Sequence, residues 1–99
     1  MADNPLKVFE TLDPELLKAV EDSRKLAFSD GALPGKVKYL IAMALDAAHG
    51  TDSGVASLAR AAMGAGASKE EVAEALRVTY FISGVGSTYT AAHGLTGIL

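Results

Sequence analysis

The sequence predicts an all-α protein, a small bundle of about five helices joined by short connections. Three observations carry this. Helix-start signals recur along the chain, at Asp13-Pro14-Glu15, Leu33-Pro34-Gly35 and Ser68-Lys69-Glu70-Glu71. Apolar residues return between them at helical spacing. No stretch gives a competing strand signal.

Residues 1–12 read as an N-terminal arm, extended or in a short helical turn. Pro5 discourages helix before it, and Phe9 and Leu12 are placed to pin the arm to the body. The first helix opens with a carboxylate cap at Asp13, Pro14 at the first helical position and Glu15 in the first turn. Leu16, Leu17, Val20, Ala27 and Phe28 roughly trace one face, and Asp30-Gly31 ends the helix. The second helix follows Leu33-Pro34-Gly35. Its stripe of Val37, Leu40, Ile41, Ala44, Leu45 and Ala48 is apolar at i, i+3, i+4, i+7, and Gly50 supplies the stop.

A shorter third helix is expected from about Asp52 or Ser53 to Met63, with Asp52 as its cap. Gly64-Ala65-Gly66 breaks it. Ser68 and Glu71 then form a capping box, in which the hydroxyl and the carboxylate each take one orphan backbone N–H. The fourth helix runs through Val72, Ala75, Leu76, Thr79 and Ile82 to Ser83-Gly84. The tail, Val85 to Gly94, reads as a fifth helix with a fraying glycine end.

Composition narrows the function. A chain of 99 residues is one domain, 1–99. It buries roughly 65% of the surface that its unfolded form exposes. Alanine-rich helices contribute little apolar area each, so association is expected to supply the missing burial. The net charge is −3 and the nine Lys/Arg are scattered, which leaves no nucleic-acid footprint. No apolar run reaches the roughly 18 residues of a membrane span. The start, MADNPLKVFE, lacks a basic segment followed by an apolar one, so no secretory signal is expected. There is no cysteine, which excludes disulfides, thiolate metal sites and cysteine nucleophiles and fits a cytoplasmic setting. With two distant His and no Cys, no metal site or cofactor is expected.

The stretch Leu33–Gly84 carries three distinctive pieces: LPGKVKYLIAMAL, the RAAMGAGAS-x-EE joint over Arg60–Glu71, and EALRVTYFISG. In these it resembles the carboxymuconolactone decarboxylase / alkyl hydroperoxidase D family. The resemblance implies an all-α fold, assembly as a trimer or hexamer of small subunits, and pockets around the turn between the second and third helices, often at a subunit boundary. The redox-active branch of that family carries Cys-x-x-Cys-x-x-x-His there, with a Glu on the preceding helix. The matching positions here are Thr51, Gly54, Leu58 and Tyr39. Neither Thr51 nor Gly54 can cycle between thiol and disulfide, and Leu58 cannot move a proton. Cysteine-dependent peroxidase chemistry is therefore excluded. The lactone decarboxylase branch needs no cysteine but resembles this chain only loosely at Asp52, and Leu58 stands where it has a His.

Polar residues near the expected pocket are Tyr39, Asp46, His49, Thr51, Asp52, Ser53 and Arg60. Tyr39 and Asp46 share a helix face with Met43, away from the Leu40/Ile41/Ala44 stripe. Asp46 and His49, three apart, are within reach of one hydrogen bond, an arrangement that holds an imidazole as a general base. His49, Asp46 and Asp52 are thus the catalytic candidates. Tyr39, Thr51, Ser53 and Arg60 are the candidates for holding a small carboxylate or lactone, with its anion at the N-terminus of the third helix. Each also has a plainer role: His49 at a helix C-terminus, Asp52 as a cap, Asp46 and Arg60 as surface or interface charges, Tyr39 as packing. Tyr80, Phe81 and Tyr89 are assigned to the core or to contacts between subunits, and His93 to the surface or an interface. Two functions remain open, a non-redox oligomeric scaffold or small-ligand-binding protein, and a decarboxylase or isomerase working by acid/base catalysis.

Overall fold

The computed structural model describes residues 4–99; the start of the expected arm, residues 1–3, lies outside them. A 3₁₀ turn over Pro5–Val8 leads into a one-turn helix α1 (Phe9–Leu12). Five longer helices follow: α2 (Pro14–Phe28), α3 (Gly35–His49), α4 (Asp52–Gly64), α5 (Lys69–Ser83) and α6 (Val85–Leu95). There is no strand among the described residues. From Pro5 to Leu12 the arm is thus helical rather than extended.

The helix ends follow the sequence signals closely. The Asp13 carboxylate accepts from the Leu16 N–H at 3.1 Å, with Pro14 in the first turn. At α5 the capping box closes from both sides. The Ser68 hydroxyl accepts from the Glu71 N–H at 3.0 Å, and the Glu71 carboxylate accepts from the Ser68 N–H at 2.9 Å. Lys36 at the start of α3 donates to the same carboxylate at 3.0 Å, tying the first turns of α3 and α5 together. The start of α3 is capped from a distance: the Asp30 carboxylate accepts from the Gly35 N–H at 2.7 Å.

The Ser68 backbone N–H, and then the Lys36 ammonium, hold the Glu71 carboxyl below its ordinary value of 4.5. A lowered carboxyl stabilises the fold above its unfolded value and loses that contribution as pH falls through the folded one. The advantage of the unaltered chain over Glu71→Gln, which keeps the box but not the charge, should therefore shrink below pH 4.5. Thermal melts of both proteins across that pH check it.

α3 is the hub. It packs most extensively on α4 and also meets α2, α5 and α6. This corrects the expected orientation of its stripe. Met43 and Ala47 are fully buried, whereas Ile41 and Leu45 are about half exposed. A helix surrounded on several sides buries the face its neighbours share, not the face with the most large apolar residues. The core formed this way is small: Met43, Ala47, Val55, Ala59, Val72 and Ala91, flanked by Leu40, Leu58, Met63, Ala75, Leu76 and Leu95. A second correction concerns α5, whose last turn projects beyond this core and leaves Ile82 77% exposed. Tyr80, Phe81 and Tyr89 are likewise exposed and take no part in the core.

α6 docks on α4 through small residues. Ser87, Ala91 and Gly94 recur at i, i+4, i+7 and are buried, facing a helix whose own buried residues are Val55, Ala59 and Ala62. Gly94 is not a fraying end. A Cβ there would stand 2.5 Å from the Asp52 carbonyl oxygen and 3.0 Å from the Val55 Cβ, so the glycine sets how closely the helices approach. Gly94→Ala should destabilise. Overpacking costs about 1–3 kcal/mol, and the helix-propensity gain of roughly 1 kcal/mol offsets part of it. A net loss of up to about 2 kcal/mol is expected from a thermal or denaturant melt, toward the upper end because a backbone oxygen cannot swing aside.

Candidate functional site

The turn between α3 and α4 is a Schellman reversal. Gly50 takes the left-handed conformation at φ 82°, which suits glycine alone without strain. The Thr51 N–H donates to the Asp46 carbonyl at 2.9 Å, and the Gly50 N–H to the Ala47 carbonyl at 3.3 Å. These bonds fix Thr51 as the residue that turns the chain into α4. Asp52 is therefore the first helical residue and not the cap, a one-residue correction to the expected start. Thr51 makes no side-chain capping bond. Asp52 still sits in the first turn, where a negative charge suits the helix dipole.

The reversal also brings Asp46 against α4. A Cβ built on Gly54 would overlap the Asp46 Oδ2, lie 2.8 Å from its Cγ and 3.2 Å from the Thr51 methyl. The half-buried carboxylate of α3 thus lies directly over the backbone of the third residue of α4. A side chain at position 54, a thiol included, enters only if that carboxylate moves away. In this structure the space that a side chain at this position would take is occupied by the Asp46 carboxylate, the end of a side chain that can rotate. Leu58, one turn on, packs against the core cluster and is part of the apolar interior.

The other candidates disperse. His49 ends α3 and is exposed, and no hydrogen bond or ion pair joins it to Asp46 among the described residues. Asp52, Thr51 and Ser53 are exposed around the first turn of α4. Arg60 lies two turns further along that helix, also exposed. Tyr39 is half-buried and stacks on Phe28 of α2, ring centroids 4.8 Å apart and planes 17° apart. Asp46, Thr51, Asp52 and Ser53 therefore gather at the N-terminal end of α4, while Tyr39, His49 and Arg60 stand apart from one another.

Two hollows mark the surface. One, of about 360 Å³, lies between α2 and α3, lined by Ala27, Phe28, Leu33, Ile41, Ala42 and Leu45, with Lys38 beside it. The other, of about 310 Å³, lies between α5 and α6 against Leu76, Arg77, Tyr80 and Val85. None of the seven sequence-derived candidates lines either one. No cluster of three or more His, Cys, Asp or Glu able to hold a metal occurs among the described residues. No described helix is long and apolar enough to cross a membrane.

Sequence reasoning missed the Asp46–Gly54 contact, the close approach at Gly94 and the Lys36–Glu71 bridge. For Gly94 a signal existed: a glycine inside a helical pattern often marks close packing.

Comparison with curated proteins and with solved structures gives no match. The profile of the Carboxymuconolactone decarboxylase family matches residues 14–96, from the start of α2 to just past the end of α6. With that match across the whole bundle, and with its helical architecture, the chain belongs to the carboxymuconolactone decarboxylase family, as a member without cysteine.

Proposed function

We propose that the protein is a non-redox subunit of a homo-oligomer, trimeric or hexameric, serving as a cytoplasmic scaffold or small-ligand-binding assembly. The observation that carries this is where the apolar side chains lie. A single chain exposes 6832 Å². A monomer of 10.2 kDa typically exposes roughly 5,300 Å², leaving an excess of roughly 1,500 Å². The interior is filled largely by alanine, while Leu26, Phe81 and Ile82 are each more than three-quarters exposed. Large apolar side chains left exposed in this way support association.

The alternative, acid/base decarboxylation or isomerisation of a small carboxylate or lactone, rests on Asp46 as the one half-buried carboxylate at the family's pocket position. The N-terminal end of α4 already carries the charges of Asp46 and Asp52, which disfavours a further anion there. Among the described residues His49 has no carboxylate bonded to it that would orient the ring. These points favour the scaffold or ligand-binding reading.

Native mass spectrometry tests it by counting subunits and weighing any retained small molecule. A trimer or hexamer is expected, and a bare 10.2 kDa chain as the main species contradicts it. Assays of lactone and β-keto-acid turnover with His49→Ala and Asp46→Asn address the alternative. Turnover by the unaltered chain that either variant abolishes would favour catalysis.

A further inference from the structure

α2 is held differently from the other long helices. α3, α4, α5 and α6 each have buried residues, and α2 has none. The 3₁₀ turn and α1 before it have none either. Neither the core cluster nor the side chains packed against it include any residue before α3. α2 packs on α1 and, far less than α4 does, on α3; it makes no substantial contact with α4, α5 or α6.

What ties α2 down lies at its last residue and just beyond. The Phe28 ring stacks on Tyr39. The Lys38 ammonium donates to the Ser29 carbonyl, and the Asp30 carboxylate accepts from the Gly35 N–H. Among the described residues, no hydrogen bond or ion pair joins positions 14–27 to α3, α4, α5 or α6. Positions 29–34 belong to no helix, and Gly31 among them has open space where a Cβ would stand. Segments with few buried contacts open at lower free energy than the core. A short link between helices can absorb the change in backbone angles.

We infer that α1 and α2 form a flap, hinged at positions 29–34 and latched by the Phe28–Tyr39 stack, that opens while α3–α6 stays folded. The flap carries Ala27 and Phe28, one side of the α2–α3 hollow, and the opposite side, Ile41, Ala42 and Leu45, stays with the body. The hollow therefore exists only while the flap is down. The flap depends on contacts within one chain, so the oligomeric reading stands or falls separately.

Amide hydrogen exchange of the unaltered chain in rising, sub-denaturing urea tests this. α2 has 15 residues, and isolated helices of about that length or less are marginal in water, so a lifted α2 exchanges. Its amides are expected to exchange at least about tenfold faster than those of α4 and α5. Their urea dependence should be shallower, because opening the flap uncovers less surface than unfolding the body. Tyr39→Leu keeps an apolar side chain but removes the stack, and should speed α2 exchange about two- to twelvefold. Val55→Ala weakens the core on a helix that α2 does not substantially touch. It should speed exchange in α4 and α5 and leave α2 unchanged. α2 amides as protected as those of α4, with equal urea dependence, would overturn the flap, whether this chain or a neighbouring copy holds them. Acceleration of α2 in step with α4 in Val55→Ala would also overturn it. An unchanged α2 rate in Tyr39→Leu would overturn the latch. Light scattering of the same sample reports the oligomeric state independently.

Discussion

Replacing Met43 with alanine should lower the unfolding midpoint of the protein by roughly 10 °C or more. Met43 is fully buried at the point where α4, α5 and α6 converge on α3, and few other large side chains are fully buried with it. Removing a core methionine costs about 2–5 kcal/mol, through lost transfer energy and the cavity left behind. In a domain of this size each kcal/mol moves the midpoint by about 4–8 °C. Half of the buried cluster around it is alanine, Ala47, Ala59 and Ala91, whose side chains are too short to reach into the space. Circular-dichroism melts at matched protein concentration, which holds any assembly constant, give the number. A shift of only a degree or two would mean that the interior is centred elsewhere on α3.

The second large effect is on assembly. Phe81→Arg should dissociate the proposed oligomer while leaving the subunit fold intact. Phe81 is almost entirely outside the single-chain core, so its loss removes no internal packing. Seated in a neighbouring copy, its ring would contribute about 1.5–3 kcal/mol of burial. An arginine there forfeits that and brings an unpaired cation into an apolar contact. Together these weaken each contact by at least about tenfold, since about 1.4 kcal/mol is a factor of ten. Light scattering should report a subunit-sized particle, and the far-ultraviolet spectrum should remain helical. An oligomer of unchanged size would exclude the α5–α6 corner from the interface.

These two residues also explain what could be read from the sequence. Helix ends were legible because they are local: Asp13-Pro14, the Ser68/Glu71 box and the left-handed Gly50 each act within a few residues. Which face turns inward was less legible. Periodicity identifies an apolar side but does not say whether that side meets the same chain or another. Ile41, Leu45 and Ile82 sit in sound amphipathic patterns and yet lie outside the core. Periodicity puts Met43 on the polar face of α3, which would hold only for a helix that buries a single side.

The site divides the same way. The loss of thiol chemistry was visible in the residues themselves, at Thr51, Gly54 and Leu58. The contact between Asp46 and Gly54 was not, because it depends on a Schellman turn carrying Asp46 across to α4. The expected Asp46–His49 hydrogen bond shows the limit of spacing arguments. Residues three apart on a helix are near one another, but the Asp46 carboxylate is drawn to the start of α4 while His49 ends its helix in solvent.

Sedimentation equilibrium of the unaltered chain at micromolar concentration is the most direct check on the claim that this subunit is completed by its own copies. The mass expected is that of three or six 10.2 kDa chains. A single 10.2 kDa species across the concentration range would contradict it, and would leave the exposed leucines, Phe81 and Ile82 without the neighbour that the fold calls for.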